Sequence, residues 1–79
     1  MLEIFKSYLN KEEYYIIIYS NFIYIYKYID IIKFTDSFIS LKLEKFKINI
    51  TGIDLLITKL ETRELLIKGI INKVERVYE

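Results

Sequence analysis

The sequence predicts an all-β domain: an antiparallel meander of about seven short strands, closed as a roll, sandwich or barrel. From residue 14 onward, apolar residues either run continuously or alternate with polar ones, as they do in strands. Apolar residues make up 53% of the chain and are mostly Ile, Leu, Tyr and Phe, which suit a pleated surface. Polar clusters recur at intervals short enough to separate strands rather than helices.

A chain of 79 residues is long enough for one domain. Residues 1–13 are predicted to form a separate N-terminal segment, because Leu2, Phe5 and Leu9 share one face of a short helix. Residues 14–79 are predicted to form a single β domain. A domain this small needs an unusually apolar core or a partner, since it has no Cys for disulfides and no His for a zinc site.

The first half of the β domain divides at polar turns. Residues 14–19 are predicted to form a strand that ends at a two-residue turn, Ser20-Asn21. Residues 22–26 and 28–34 follow as strands, and a polar turn at residues 35–37 closes this part of the chain.

The clearest pattern is a hairpin with Glu44-Lys45 between its strands. Apolar residues alternate with Ser40 and Lys42 on the first strand, and with Lys47 and Asn49 on the second. The apolar residues are therefore predicted to share one buried face: Ile39, Leu41, Leu43, Phe46, Ile48 and Ile50.

Two glycines punctuate the remaining chain. Gly52 is predicted to supply a turn that needs a positive φ, and strands are predicted at residues 55–60, 65–68 and 70–78. Gly69 falls inside the last predicted hairpin, where glycine usually marks a bulge or a tight bend.

The composition argues against catalysis and against a bound metal or cofactor. Without Cys or His there is no thiolate nucleophile and no imidazole base, and two glycines cannot form a phosphate-binding loop. The candidate carboxylates Asp30, Asp36 and Asp54 are predicted to be solvated residues at turns and strand ends. We therefore expect a non-enzymatic protein with no catalytic, cofactor-binding or metal-binding residue.

Charge and hydropathy also bear on the partners. A net charge of +1 gives no overall attraction to nucleic acid or to anionic lipid. Residues 14–34 are apolar, but Ser20, Asn21, Lys27, Asp30 and Lys33 interrupt them, so no direct membrane insertion is expected.

A tyrosine-rich strand is the candidate interaction face. Because side chains repeat every two residues along a strand, Phe22, Tyr24, Tyr26 and Tyr28 are predicted to share one face. The opposite face carries Ile23, Ile25 and Ile29, so both faces of this stretch are apolar. The surplus must be covered by the N-terminal segment, by a second subunit or by a larger assembly.

The tyrosines admit a second interpretation. Aromatic residues on a sheet, interleaved with basic ones such as Lys27 and Lys33, can stack the bases of single-stranded nucleic acid. A small nucleic-acid-binding β-barrel is therefore the alternative, although Lys27 falls on the face opposite the tyrosines and the prediction favours packing or protein contact.

Residues 23–75 resemble the YabP/YqfC family of endospore-formation proteins. The likeness rests on three segments in a fixed order, at residues 28–36, 48–57 and 64–71, of which the second contains Gly52 and the third contains Gly69. The chain departs from the family pattern at Ser20-Asn21, where Gly-Asn is common, and at Glu44-Lys45, which lacks the usual turn glycine.

The resemblance implies a function in sporulation. Such a protein is expected in the mother-cell cytoplasm, at the forespore surface, acting in morphogenesis of the spore coat or envelope. Its expected partners are further copies of itself or another sporulation protein, including a membrane protein, and no catalytic residue is carried over from the family.

Overall fold

The computed structural model describes residues 15–78, which form six β-strands and no helix. The N-terminal helix predicted around residues 2–9 lies outside the described residues. In chain order the strands are β1 (Tyr15–Ile18), β2 (Phe22–Tyr26), β3 (Asp30–Phe34), β4 (Phe38–Lys42), β5 (Lys47–Leu60) and β6 (Glu64–Val77).

The strands form a single antiparallel sheet in the order β1-β2-β6-β5-β4-β3. Strands β3 to β6 make a meander, and the β1–β2 hairpin joins the other side of β6. The prediction of an all-β antiparallel fold is confirmed. The sheet is not closed, since β1 and β3 remain at opposite ends of the strand order.

Strands β5 and β6, each of 14 residues, are the long central strands with which the rest of the sheet pairs. Strand β4 pairs with residues 47–51 of β5, whereas β2 pairs with residues 64–68 of β6, so different halves of the long hairpin hold different neighbours. Their mutual register shifts at three places, and such bulges bend strands. Residues from both halves of the sheet, among them Ile23 and Ile39, consequently share one core cluster.

The predicted buried face of the β4–β5 hairpin is confirmed. All six predicted residues belong to the core, and the most exposed of them, Phe46, retains 4% of its accessible surface. On the opposite side of the sheet, Ser40 pairs with Asn49 and donates a 2.8 Å hydrogen bond to its Oδ1. The alternating pattern therefore placed each side chain on the correct face.

Gly52 lies inside β5 and not in a turn, which corrects both its predicted role and the strand count. The strands predicted on either side of it are one continuous strand, and those on either side of Gly69 are likewise one strand. Six strands result where about seven were predicted. The need for glycine is steric, because a Cβ at position 52 would clash with the backbone carbonyl oxygen of Ile70.

Gly69 occupies the bulge that the sequence predicted. Its φ is 140°, and a Cβ there would lie 2.7 Å from the carbonyl oxygen of Asp54. Across the pair, Asp54 has a left-handed φ of 55° and the register shifts between Ile53 and Leu56. Glycine on one strand thus accommodates the extra residues of the other.

The predicted hairpin turn at Ser20-Asn21 is confirmed. The backbone N–H of Tyr19 donates a 2.8 Å hydrogen bond to the carbonyl of Phe22, which closes the two-residue turn between β1 and β2. The strand predicted at residues 28–34 begins only at Asp30. It begins late because Lys27, with a left-handed φ of 74°, redirects the chain after β2.

Candidate interaction surface

The side chains of strand β2 alternate between the two faces of the sheet. Ile23 and Ile25 are fully buried in the core, so Phe22, Tyr24 and Tyr26 project from the opposite side, which we call the outer face. On β6 the residues paired with these three are Lys68, Leu66 and Glu64, which therefore share the outer face. Three of the four residues predicted as an interaction face thus do lie on one side of the sheet.

Tyr24 is anchored within the outer face and is not open to solvent. It retains 8% of its accessible surface, and its phenol donates a hydrogen bond to the carboxylate of Glu64. The Nζ of Lys59 lies 3.7 Å from the same carboxylate. The Tyr24 ring is therefore part of the packing of the sheet, and its burial argues against the open stacking surface that nucleic acid would need.

Tyr28 does not belong to the outer face, contrary to the prediction. Strand β2 ends at Tyr26, and the left-handed conformation of Lys27 interrupts the two-residue alternation. Tyr28 consequently packs against the core cluster and donates a 3.0 Å hydrogen bond to the carbonyl of Glu61.

An exposed apolar group that the sequence did not reveal lies on the same outer face. Ile53 and Ile70 are paired across β5 and β6 and are 51% and 54% exposed, and Leu56, opposite Lys68, is 58% exposed. On the neighbouring strand β2, Phe22 is also paired with Lys68, so Phe22 and Leu56 flank this lysine. The ring of Tyr19 stacks on that of Phe22, with ring centroids 4.6 Å apart. We call this set the outer apolar patch: Tyr19, Phe22, Ile53, Leu56 and Ile70.

The apolar residues of this patch are visible in the sequence, but the predicted turn at Gly52 hid which face of the sheet they occupy. Reading Gly52 as a turn ended one strand and began another, so the side chains after it had no defined face. With β5 continuous, Ile53 and Leu56 follow Thr51 on the outer side, separated by the bulge at Asp54.

The three candidate carboxylates lie far apart in the chain, and only Asp30 and Asp36 are at a strand end or turn as predicted, whereas Asp54 lies inside β5. Asp30 begins β3, Asp36 lies in the β3–β4 loop, and Asp54 lies in the β5 bulge. The carbonyl of Asp36 accepts a 2.8 Å hydrogen bond from the amide of Leu55, which gives this residue a structural role. Within residues 15–78, no group of three His, Cys, Asp or Glu side chains could hold a metal ion.

A shallow cleft lies near the β2–β3 and β5–β6 connections. It has a volume of about 320 Å³ and is lined by Lys27, Tyr28, Ile29, Glu44, Thr62 and Arg63. Its ionisable side chains come from three connections between strands, and Ile29 is 56% exposed, so it is an open surface feature. Residues 15–78 also contain no helix suited to crossing a lipid bilayer.

Comparison with known proteins places the chain in a family. The model of the YabP family matches residues 10–78, which include every strand of the sheet. Searches of curated proteins and of solved structures returned no match. The chain therefore belongs to the YabP family, and this membership indicates a sporulation-related protein.

Proposed function

We propose that this protein acts without catalysis, as an assembly component in morphogenesis of the spore coat or envelope. The observation that carries the proposal is the outer apolar patch on a sheet whose other face already holds the core. Large apolar side chains gathered on one surface of a small protein are typical of protein contact sites. Family membership supplies the biological process, and the patch supplies the means of acting in it.

The charges beside the patch indicate the chemistry of the partner. Lys68 lies between Phe22 and Leu56 on the outer face, and its side chain is exposed. A partner that buries the apolar side chains must also meet this cation, so a matching surface is apolar with a carboxylate among its apolar side chains. We propose another sporulation protein as the partner, a class that includes the exposed domains of membrane proteins, at the forespore surface in the mother-cell cytoplasm.

The candidate residues for this contact differ from those predicted first. Replacing Tyr24 with a charged residue would break its hydrogen bond to Glu64 and disturb the fold, so its loss would not isolate an interaction. Leu56 and Ile70 are better probes, because more than half of each side chain is already in water.

The test is sporulation in a host whose own copy is replaced by the double variant Leu56→Lys, Ile70→Lys. We expect the variant to keep its fold and to lower the yield of heat-resistant spores at least tenfold, because two cations would face an apolar partner surface. Thr62→Lys, at an exposed position in the β5–β6 connection, is the matched control and should leave the yield unchanged. A normal spore yield from the folded double variant would contradict the proposal.

A further inference from the structure

The second half of β6 has one side to which no strand is paired within residues 15–78. Strand β2 covers β6 only as far as Lys68, and the amides of Gly69 and Ile71 then donate to carbonyls of the Ser20-Asn21 turn at 3.2 and 3.0 Å. Beyond Ile71, β5 alone pairs with β6 among the described strands. We call residues 72–77 the free edge of β6.

The backbone of this edge is oriented for pairing. The amide of Ile71, a residue that packs against the core, points away from β5. The register shift between Thr51 and Gly52 leaves Asn72 as an extra residue of β6, so Ile71 and Val74 both face the core although they are three residues apart. Within one strand, residues whose side chains face the same side direct their N–H and C=O to the same edge, so Val74 also directs these groups away from β5. Lys73 and Glu75, on the opposite side of the sheet, pair with Thr51 and Asn49 of β5.

A groove runs beside the free edge. Its volume is about 410 Å³, and the tip of the β1–β2 hairpin forms its other wall. Ile18 on that wall is 53% exposed, and Ile71 and Val74 line the side of β6. An added strand would thus gain backbone hydrogen bonds along one wall and cover apolar side chains in the groove.

We propose that a second copy of this chain occupies the free edge, with the two β6 strands antiparallel about a two-fold axis at Val74. In that register Val74 forms a hydrogen-bonded pair with Val74 of the second copy. Lys73 then lies opposite Glu75 of the second copy, and Glu75 lies opposite its Lys73. Both cross-strand pairs are therefore of opposite sign, and such pairs stabilise an antiparallel contact.

The neighbouring registers are disfavoured by charge. Centring the axis on Glu75 would set two glutamates against each other, and centring it on Lys73 would set two lysines against each other. Both side chains are more than half exposed, at 64% for Lys73 and 51% for Glu75, so they are free to make contacts between copies. This dimer goes beyond the proposed function, because residues 72–77 are outside the outer apolar patch, and Leu56 and Ile70, which test the patch, do not line the groove.

Charge variants test the register by sedimentation velocity over a dilution series. The wild-type chain should sediment as a dimer at tens of micromolar, and Lys73→Glu or Glu75→Lys alone should weaken dimerisation about tenfold, since each replaces two attractive pairs with two repulsive ones. An equimolar mixture of the two variants restores opposite charges at both pairs and should recover the wild-type affinity as a heterodimer. The recovery separates pairing between copies from the 3.9 Å contact of Lys73 with Glu75 inside one chain, which mixing cannot restore.

A cysteine placed on the axis gives a second measurement. The chain has no Cys of its own, so Val74→Cys introduces a single thiol. The Cα atoms of a hydrogen-bonded antiparallel pair lie about 5.5 Å apart, which is within the range of a disulfide. Mild oxidation should link Val74→Cys into a covalent dimer, whereas Thr58→Cys, at an exposed position on β5, should stay monomeric.

A wild-type chain that remains monomeric, or variants whose mixture fails to recover dimerisation, would overturn this inference. Either result would leave the proposed function standing, because the spore yield of the Leu56→Lys, Ile70→Lys variant tests a different surface. Conversely, a dimer with the expected charge dependence alongside a normal spore yield from that variant would support the edge and contradict the patch.

Discussion

Gly52→Ala is expected to destabilise the fold by about 3 kcal/mol, since overpacking against an interior that cannot yield costs this much. The new methyl group would clash with the carbonyl oxygen of Ile70, a backbone atom and not the end of a flexible side chain. The backbones on both sides are held in place. Gly52 donates to the carbonyl of Ser37 at 3.0 Å, and Ile71 donates to that of Ser20 at 3.0 Å.

Thermal unfolding followed by circular dichroism measures this effect. For a domain of this size, about 3 kcal/mol corresponds to a fall of more than 10 °C in Tm. Thr51→Ala is the matched control, because Thr51 is the preceding residue, is exposed and lies on the outer side of the same strand. An unchanged Tm for Gly52→Ala would show that β5 and β6 are further apart at this point than the structure has them.

Ile67→Ala is expected to cost about 3–4 kcal/mol, which is in the range measured when a buried isoleucine is truncated and leaves a cavity. Ile67 is fully buried and is paired with Ile23 on one side and Ile57 on the other. It sits where the β1–β2 hairpin meets the long β5–β6 hairpin, so its side chain joins the two halves of the core.

Ile70→Ala provides the control for the same chemical change. Ile70 follows three residues later on β6, but it lies on the outer face and is 54% exposed. Its truncation should therefore cost less than about 1 kcal/mol in urea unfolding. If both variants lost equal stability, Ile67 and Ile70 would be equivalent in burial and the division into core and outer face would be wrong.

Local patterns predicted the β4–β5 hairpin well because they depend only on neighbouring residues. Ser40 and Lys42 alternate with core residues on β4, and two residues separate the strands, so periodicity alone fixes the buried face. The same reasoning located the Ser20-Asn21 turn. Sequence order did not reveal that β2 pairs with β6, because that contact is set by packing between segments far apart in the chain.

The errors came from single residues that change the direction or continuity of a strand. The conformational freedom of glycine predicts a turn at Gly52, whereas the fold needs its lack of a side chain where the backbone of β6 comes close. Lys27 adopts a left-handed conformation, which is uncommon for lysine and cannot be recognised from the sequence. This conformation removes Tyr28 from the predicted tyrosine face. Once β5 is continuous, the exposure of Ile53 and Leu56 follows, and with it the outer apolar patch.

Protection of lysines in sporulating cells tests the central claim, that the outer face contacts a partner protein. Lys68 lies within the outer face beside the apolar patch, while Lys45 lies in the β4–β5 turn, and both are exposed. After brief acetylation of intact cells and of the purified protein, mass spectrometry compares the modified fraction at each position. We predict that Lys68 is modified several-fold less in cells than in the purified protein, while Lys45 is modified equally in both. Equal modification of Lys68 in cells and in the purified protein would contradict the claim.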